Sequence, residues 1–429
     1  MHDADESLAT SVVEAPAELD EQNKRDYRFN MVACIIDDGG YAGGISLLSM
    51  TTILPLFVRQ LTDSAFLVGL IPAIYWAGIF LPQLFVARLV SHFPRLRPWV
   101  MSIAFFERIF LVLLAPLTLW LWQKPGALLV AFFLMWTGYA LSTGLNFATY
   151  LGLVAKIIPA NRRGLLYGLS GALGGVLGVA GAKLAEYLLQ DGGMPYGFAW
   201  CFGIGSAVLA VTVVPLGFVR EPVGKPPEER PHAGPRQIVR LLRGDPAFAR
   251  FVWGCIAYAF AGAAPAFYTV HAIDHLGATA ADVARFTAVL TATTVVTAPA
   301  WGWLADRTGN RRVVLGSAIL AGMGLLVALL APSLGWFYLV FALNAAASPG
   351  MGFAVANIIL EYGPGAKAPA YVAVHSSCTM PASALAPLLA GGLAQTAGYH
   401  AVFVAGAILA GLAILGYWRA PEPRERALG

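Results

Sequence analysis

The chain has 429 residues, 58% of them hydrophobic and only 12% charged, with a mean hydropathy of +0.67 and a formal net charge of +4. Soluble domains carry about twice that share of charge, so the composition excludes a water-soluble enzyme or binding module and defines a polytopic helical membrane protein. No basic tract suggests nucleic acid, and Cys34, Cys201, Cys255 and Cys378 lie in apolar runs without metal-ligand spacing, as packing residues do.

Residues 1–28 begin with an acidic stretch (Asp3, Asp5, Glu6, Glu14, Glu18, Asp20, Glu21) that has neither a basic start nor an apolar core, so a disordered tail is expected rather than a signal peptide. Apolar runs of about 20 residues then predict twelve membrane spans. They fall at 29–58, 64–88, 99–122, 126–155, 163–190, 197–219, 248–272, 281–304, 312–331, 335–361, 368–396 and 398–418. The break at 220–247 divides them six and six, into bundles at 29–219 and 248–418, with a tail at 419–429. Within that break Pro222, Pro226, Pro227 and Pro231 resist helix, and Pro235–Arg243 then sets Ile238, Leu241 and Leu242 against Arg236, Arg240 and Arg243. This short amphipathic helix is expected on the anionic inner leaflet, with a partner protein as the alternative.

Orientation follows from lysine and arginine. One set of loops holds Arg88, Arg95, Arg97, Lys156, Arg162, Arg163, Arg307, Arg311, Arg312 and Arg419, and the other little beyond Arg59 and Lys124. That asymmetry predicts a cell (inner) membrane protein with both termini cytoplasmic.

Between the eighth and ninth spans the oily sequence stops for Gly302-Trp303-Leu304-Ala305-Asp306-Arg307-Thr308-Gly309-Asn310-Arg311-Arg312. Gly309 suits a tight reversal, Gly302 a close helix approach, and Asp306 a helix dipole or a neighbouring arginine. The pattern G-x-L-A-D-R-x-G-x-R-R resembles the signature loop of the major facilitator superfamily. That resemblance implies an all-α fold of twelve transmembrane helices in two six-helix bundles, around a cavity lined by spans 1, 4, 7 and 10 that opens alternately to either side. It also implies a cytoplasmic gate carried by Gly302, Asp306, Arg307, Gly309, Arg311 and Arg312. The matching loop in the first half, Gln83–Arg97, is degenerate, with Ala87 where Asp306 stands and Gln83 where Gly302 stands. The halves echo each other: Ser142–Ala148 and Ser348–Ala354 share Ser, Gly, Phe and Ala in register. The fifth span carries Gly164, Gly168, Gly171, Gly174, Gly175, Gly178 and Gly181. The family's antiporters have a Gly-Pro-x-x-Gly-Gly motif in this helix; the proline is missing here, so the glycines favour export only slightly and serve equally as a packing ridge.

Ionisable groups at membrane depth are costly unless they face a cavity or a partner. Asp37, Asp38, Glu107, Arg108 and His375 are therefore candidates for proton coupling. Asp37 and Asp38 lie about 12 Å into the first span by helical rise, and Glu107 and Arg108 about 14 Å into the third. Adjacent residues project about 100° apart, so Glu107 and Arg108 are expected to find partners on other helices, Arg108 with Asp37 or Asp38. Burial favours the neutral carboxyl, which suits proton loading; a structural ion pair, or a position at headgroup level, are the alternatives. His375 is a proton sensor or a packing histidine. Asp38 heads a stripe through Tyr41, Ile45, Ser49 and Thr52. Cavity candidates are Tyr41, Ser49, Asn146, Tyr150, Tyr258, His271, Asn344 and Asn357, an amphipathic set without an arginine cluster.

These features lead to a secondary transporter of a small organic solute, proton-coupled, leaning to efflux, working as a monomer in the lipid bilayer with no cofactor beyond the proton gradient. Import by proton symport, an intramembrane lipid-modifying enzyme and a transporter-like receptor are the alternatives. No catalytic or metal-binding set is legible, so the chain is not expected to be an enzyme.

Overall fold

The computed structural model describes residues 21–90, 93–159, 162–222, 234–364 and 367–423, and the acidic stretch before residue 21 lies outside them. Among the described residues the regular structure is helical. The first bundle holds α1 (Glu21–Ser46), α2 (Ile53–Leu61), α3 (Ala65–Val90), α4 (Arg97–Leu121), α5 (Pro125–Ile157) and α6 (Arg163–Thr212). A short helix, α7 (Pro235–Gly244), precedes the second bundle, which holds α8 (Pro246–Ala261), α9 (Tyr268–Leu276), α10 (Ala280–Thr308), α11 (Asn310–Leu330), α12 (Leu334–Tyr362) and α13 (Ala368–Arg419).

Nine described helical segments are long and apolar enough to cross a bilayer. Two of them double back. In α6 the turn is at Gly193 (φ 50°), after which a Cβ on Gly197 would lie 2.6 Å from the Leu188 carbonyl, nine residues earlier. In α13 it is at Gly398 (φ 80°), and Tyr371 and Tyr417, from its two limbs, both pack on α8, against Phe248 at 4.6 Å and Phe251 at 5.7 Å. Only glycine takes such positive φ without strain. With these two segments crossing twice, and α1 with α2 as a broken first span, the crossings number twelve.

The first span differs from its sequence expectation at both ends. Helix begins at Glu21, so residues 21–28 are its opening turns rather than tail, and it stops at Ser46 to resume at Ile53. The break follows from composition: four glycines are followed by hydroxyl-rich Ser46, Ser49, Thr51 and Thr52, and Ser46 Oγ turns back to donate to Gly43 O at 2.6 Å. Those glycines let α1 lie flush on α6: a Cβ on Gly40 would meet Thr212 at 2.2 Å and one on Gly43 would meet Leu177 at 2.7 Å.

One face of the molecule gathers the start of α1, the end of the first bundle, α7 and both ends of the second bundle. Asn30 and Arg220 exchange hydrogen bonds there at 3.0 and 2.8 Å, and Arg250 donates to Arg419 O at 3.0 Å. We call it the linker face and the opposite one the far face. Exposed aromatics ring both levels, with Trp99, Trp303 and Trp418 toward the linker face and Trp120, Trp122, Tyr196 and Trp200 toward the far face, the belt pattern of a bilayer-spanning protein. In α7 the apolar side does not face lipid as expected: Ile238, Leu241 and Leu242 pack on the second bundle, leaving Arg236, Arg240 and Arg243 exposed.

Candidate functional site

Between the bundles lies a cavity of about 480 Å³. Met50, Thr51, Pro72 and Trp76 line it from the first bundle, and Tyr258, Asn344, Ser348, Met351, His375 and Thr379 are among its walls from the second. Among the described residues, no aspartate, glutamate, lysine or arginine belongs to the lining. The far side is sealed by bonds between the bundles: Thr269 donates to Thr51 O at 2.8 Å, the hydroxyls of Thr52 and Thr287 meet at 2.6 Å, Arg59 pairs with Asp274 at 2.8 Å and Arg285 with Glu186 at 2.6 Å. Close packing adds to the seal, since a Cβ on Gly69 would lie 2.4 Å from Pro387 O. Toward the linker face the same helices part, and Gly164, Gly168 and Gly171 on α6 and Gly302 on α10 have no neighbouring atom among the described residues within 4 Å of where a side chain would stand. The cavity is thus closed at the far end and the bundles are splayed at the linker end.

Two polar clusters flank α1 in the first bundle. Arg108 reaches Asp37 and Glu107, each at 3.4 Å, and donates to Leu209 O at 3.0 Å. Glu107 accepts from Thr143 at 3.2 Å and Asn146 at 3.0 Å on α5, and all three charged groups are buried. The expectation that Glu107 and Arg108 each find a partner on another helix holds, Arg108 with Asp37 and Glu107 with Thr143 and Asn146; the two also touch each other, because the long guanidinium arm folds back along α4 to Ala104 O. Asp38 points elsewhere. It accepts from the Tyr150 hydroxyl at 2.8 Å and from Ser170 at 3.4 Å, is half-buried, and forms no ion pair among the described residues. Adjacent positions on a helix diverge by about 100°, which sends Asp37 toward α4 and Asp38 toward α5 and α6. Tyr41 is bonded through its hydroxyl to Tyr139 and stays inside the bundle, as does Asn146, so neither lines the cavity.

Of the remaining cavity candidates, Tyr258 and Asn344 are in the wall and Tyr150, held by Asp38, is not among the described lining residues, whereas His375, a proton-coupling candidate, is in the wall. His375 stacks on Phe251 at 6.4 Å, and its Nε2 is buried without a hydrogen-bond partner among the described residues. Ser49 sits in the break between α1 and α2, beside the lining residues Met50 and Thr51, so the helical stripe from Asp38 to Thr52 does not exist. His271 belongs to a buried aromatic cluster at the far face, not to the cavity, because the span it was placed in breaks at residues 262–267. Asn357 is 3.5 Å from Asn310, which donates to Glu361 at 2.8 Å, and so is held near the linker face. The sequence reading passed over Trp76 on α3 and the stripe His375, Thr379 and Ser383 at four-residue spacing on α13, a signal that polar residues at i and i+4 in an apolar helix do give.

The signature loop shows which of its parts work in this conformation. Gly309 takes φ 88°, and Arg311 donates to the carbonyls of Tyr417 (3.2 Å) and Trp418 at the end of α13. Arg307 lies over the Trp303 ring at 4.2 Å, and Arg312 is exposed. Asp306 is exposed with no partner among the described residues, and nothing approaches Gly302, so the expected close approach is absent here. The side chains of Gln83, Ala87 and Arg88 in the first-half copy lie outside the described residues.

Paired six-helix bundles enclosing a pocket sealed at one end are the architecture of alternating-access secondary transporters. The family model of the Major Facilitator Superfamily matches residues 41–274 and 254–429, and the chain belongs to that family. Solved structures with the same fold include a D-xylose-proton symporter (16% identity, TM-score 0.71, covering 93% of this chain and 99% of that one). The nucleoside transporter NupG (12%, TM-score 0.68, 92% and 98%) is another. So is a bacterial homologue of the human lysosomal transporter Spinster in an inward-facing, unoccupied conformation (17%, TM-score 0.64, 92% and 97%). Comparison with curated protein sequences gives no match.

Proposed function

We propose that this transporter moves a small, uncharged or amphipathic organic solute, in exchange with or alongside protons, with the linker face in the cytoplasm of the cell membrane. The observation that supports this reading is the cavity itself, which combines aromatic and amide or hydroxyl groups with a lining free of formal charge. A phosphate or dicarboxylate would demand fixed cations that this wall does not offer. The volume, about 480 Å³, suits a metabolite or drug-sized ligand.

Coupling falls to Asp38. Asp37 is committed to Arg108, whereas Asp38 is held by hydroxyls alone, so a proton can come and go without breaking an ion pair. Export remains the favoured direction, on the slight support of the α6 glycines. Purified protein in liposomes with an imposed pH gradient tests the reading, using solutes that raise the melting temperature in a ligand panel. Gradient-driven flux that Asp38→Asn uncouples supports it. Unchanged gradient dependence in that variant removes the coupling role, and stabilisation only by multiply charged anions removes the solute class.

A further inference from the structure

Three of the seven histidines, two from α9 and one from α13, meet at the far face. His271 and His275, one turn apart on α9, stack at 4.6 Å with their planes 14° apart, and His400 on α13 stands edge-on to His271 at 5.2 Å. His271 is 3% exposed and its Nδ1 has no hydrogen-bond partner among the described residues, while His275 and His400 are exposed. Tyr399 packs against both α9 histidines at 5.7–5.8 Å and donates its hydroxyl to Asp274 Oδ2 at 3.0 Å. The other oxygen of Asp274 accepts from Arg59 of the first bundle at 2.8 Å. The histidines therefore pack around the tyrosine that holds the Asp274 carboxylate, one of the groups that tie the bundles together at this end.

The charged and titratable groups facing the cluster are few. Arg59 at the end of α2 and Asp63 just beyond it form an ion pair, Asp274 lies on α9 itself, and Tyr399 and His400 come from α13. From α12 the neighbour is Phe337. We infer that His271, His275 and His400 form a proton-binding site, open to the far compartment, that releases the Arg59–Asp274 latch when it is occupied. Two stacked imidazoles at this spacing repel once both are charged. That repulsion acts where Tyr399, packed on both α9 histidines, holds the carboxylate that accepts from Arg59. Protonation and far-side opening favour each other, so acid on the far side biases the transporter toward accepting solute or protons from that side. The site is separate from Asp38 and does not depend on which solute is carried.

The test is a distance measurement on the full chain in lipid nanodiscs. Spin labels are placed at Gln60→Cys and Thr396→Cys, one on each bundle at the far face, in a Cys378→Ser background. Between pH 7.5 and 5.5 the chain with its histidines intact gains a second, longer-distance population. His275→Gln with His400→Gln, both at exposed positions, keeps the pH 7.5 distribution and loses the acid-induced population. Asp274→Asn shows the longer distance at both pH values. His271→Phe, which keeps a ring against Phe337 and Phe403, gives a reduced acid response and serves as the second variant should the double one misfold. No acid response with the histidines intact, or a full response in either histidine variant, overturns the proposal, the latter by assigning the titration to another group such as Asp38.

Discussion

Arg108 on α4 pairs with Asp37 on α1 at 3.4 Å, a buried contact that fixes the two helices to each other. With Glu107 also on the guanidinium, removing the arginine leaves two carboxylates without their counter-ion in a low-dielectric bundle. Arg108→Met is expected to cost about 3–5 kcal/mol of stability, the range for breaking a buried pair by deleting one partner. Thermal unfolding in detergent checks it, and Arg108→Met combined with Asp37→Asn should recover part of the loss.

Asp37 and Asp38 should separate in function. Asp37→Asn weakens an ion pair but leaves the Tyr150 and Ser170 contacts to Asp38 in place, so gradient-driven flux retains its pH dependence. Asp38→Asn keeps a side chain that can still take a hydrogen bond from Tyr150 while losing the titrating proton, so solute exchange continues and the pH gradient no longer drives it. Flux in proteoliposomes, with and without the gradient, reads both outcomes.

The glycines of α6 divide into two groups with different expected phenotypes. Gly175→Leu drives a side chain into Val295, 2.2 Å from its first carbon, and should lower stability by about 1–3 kcal/mol as overpacked sites do. Gly168→Leu meets open space in this conformation and should leave the melting temperature unchanged, yet it should slow transport at least tenfold if the linker face must close.

Cavity affinity should depend on residues from both bundles. Trp76→Ala and Asn344→Ala each remove part of the wall, one a ring and the other an amide, and each should weaken solute binding about 5- to 150-fold by the loss of about 1–3 kcal/mol. Isothermal titration with a solute found in the ligand panel measures this.

The sequence made the architecture legible where composition and spacing act over long stretches. Apolar runs set the crossings, and Gly309 with its flanking arginines marked the loop that the family model also recognises. It also offered Arg108 as counter-ion to Asp37 or Asp38, which sit at similar helical depth, and Asp37 is the one it meets. Other features depend on where helices stop. The first span breaks after Ser46, which moved Ser49 and Thr52 off the stripe headed by Asp38, and the seventh breaks at residues 262–267, which took His271 to the far face. Hydropathy does not register a one-turn break inside an apolar run. Nor does it tell a cavity wall from a packed interior, so Tyr41 and Asn146 fell inside the bundle while Trp76 went unnoticed.

The central claim is that the linker ends of α6 and α10 come together in a second state. Gly178 meets Thr291 and Gly175 meets Val295, an antiparallel register that, continued by helical turns, brings Gly171 to Ala298, Gly168 to Gly302 and Gly164 to Asp306. Cysteines at Gly168→Cys and Gly302→Cys, in a background without native thiols, test this by disulfide formation in proteoliposomes during flux. The account predicts that the pair crosslinks under mild oxidant, that transport stops, and that reductant restores it. A pair that never crosslinks while solute is moving, or transport that continues with the crosslink complete, contradicts it.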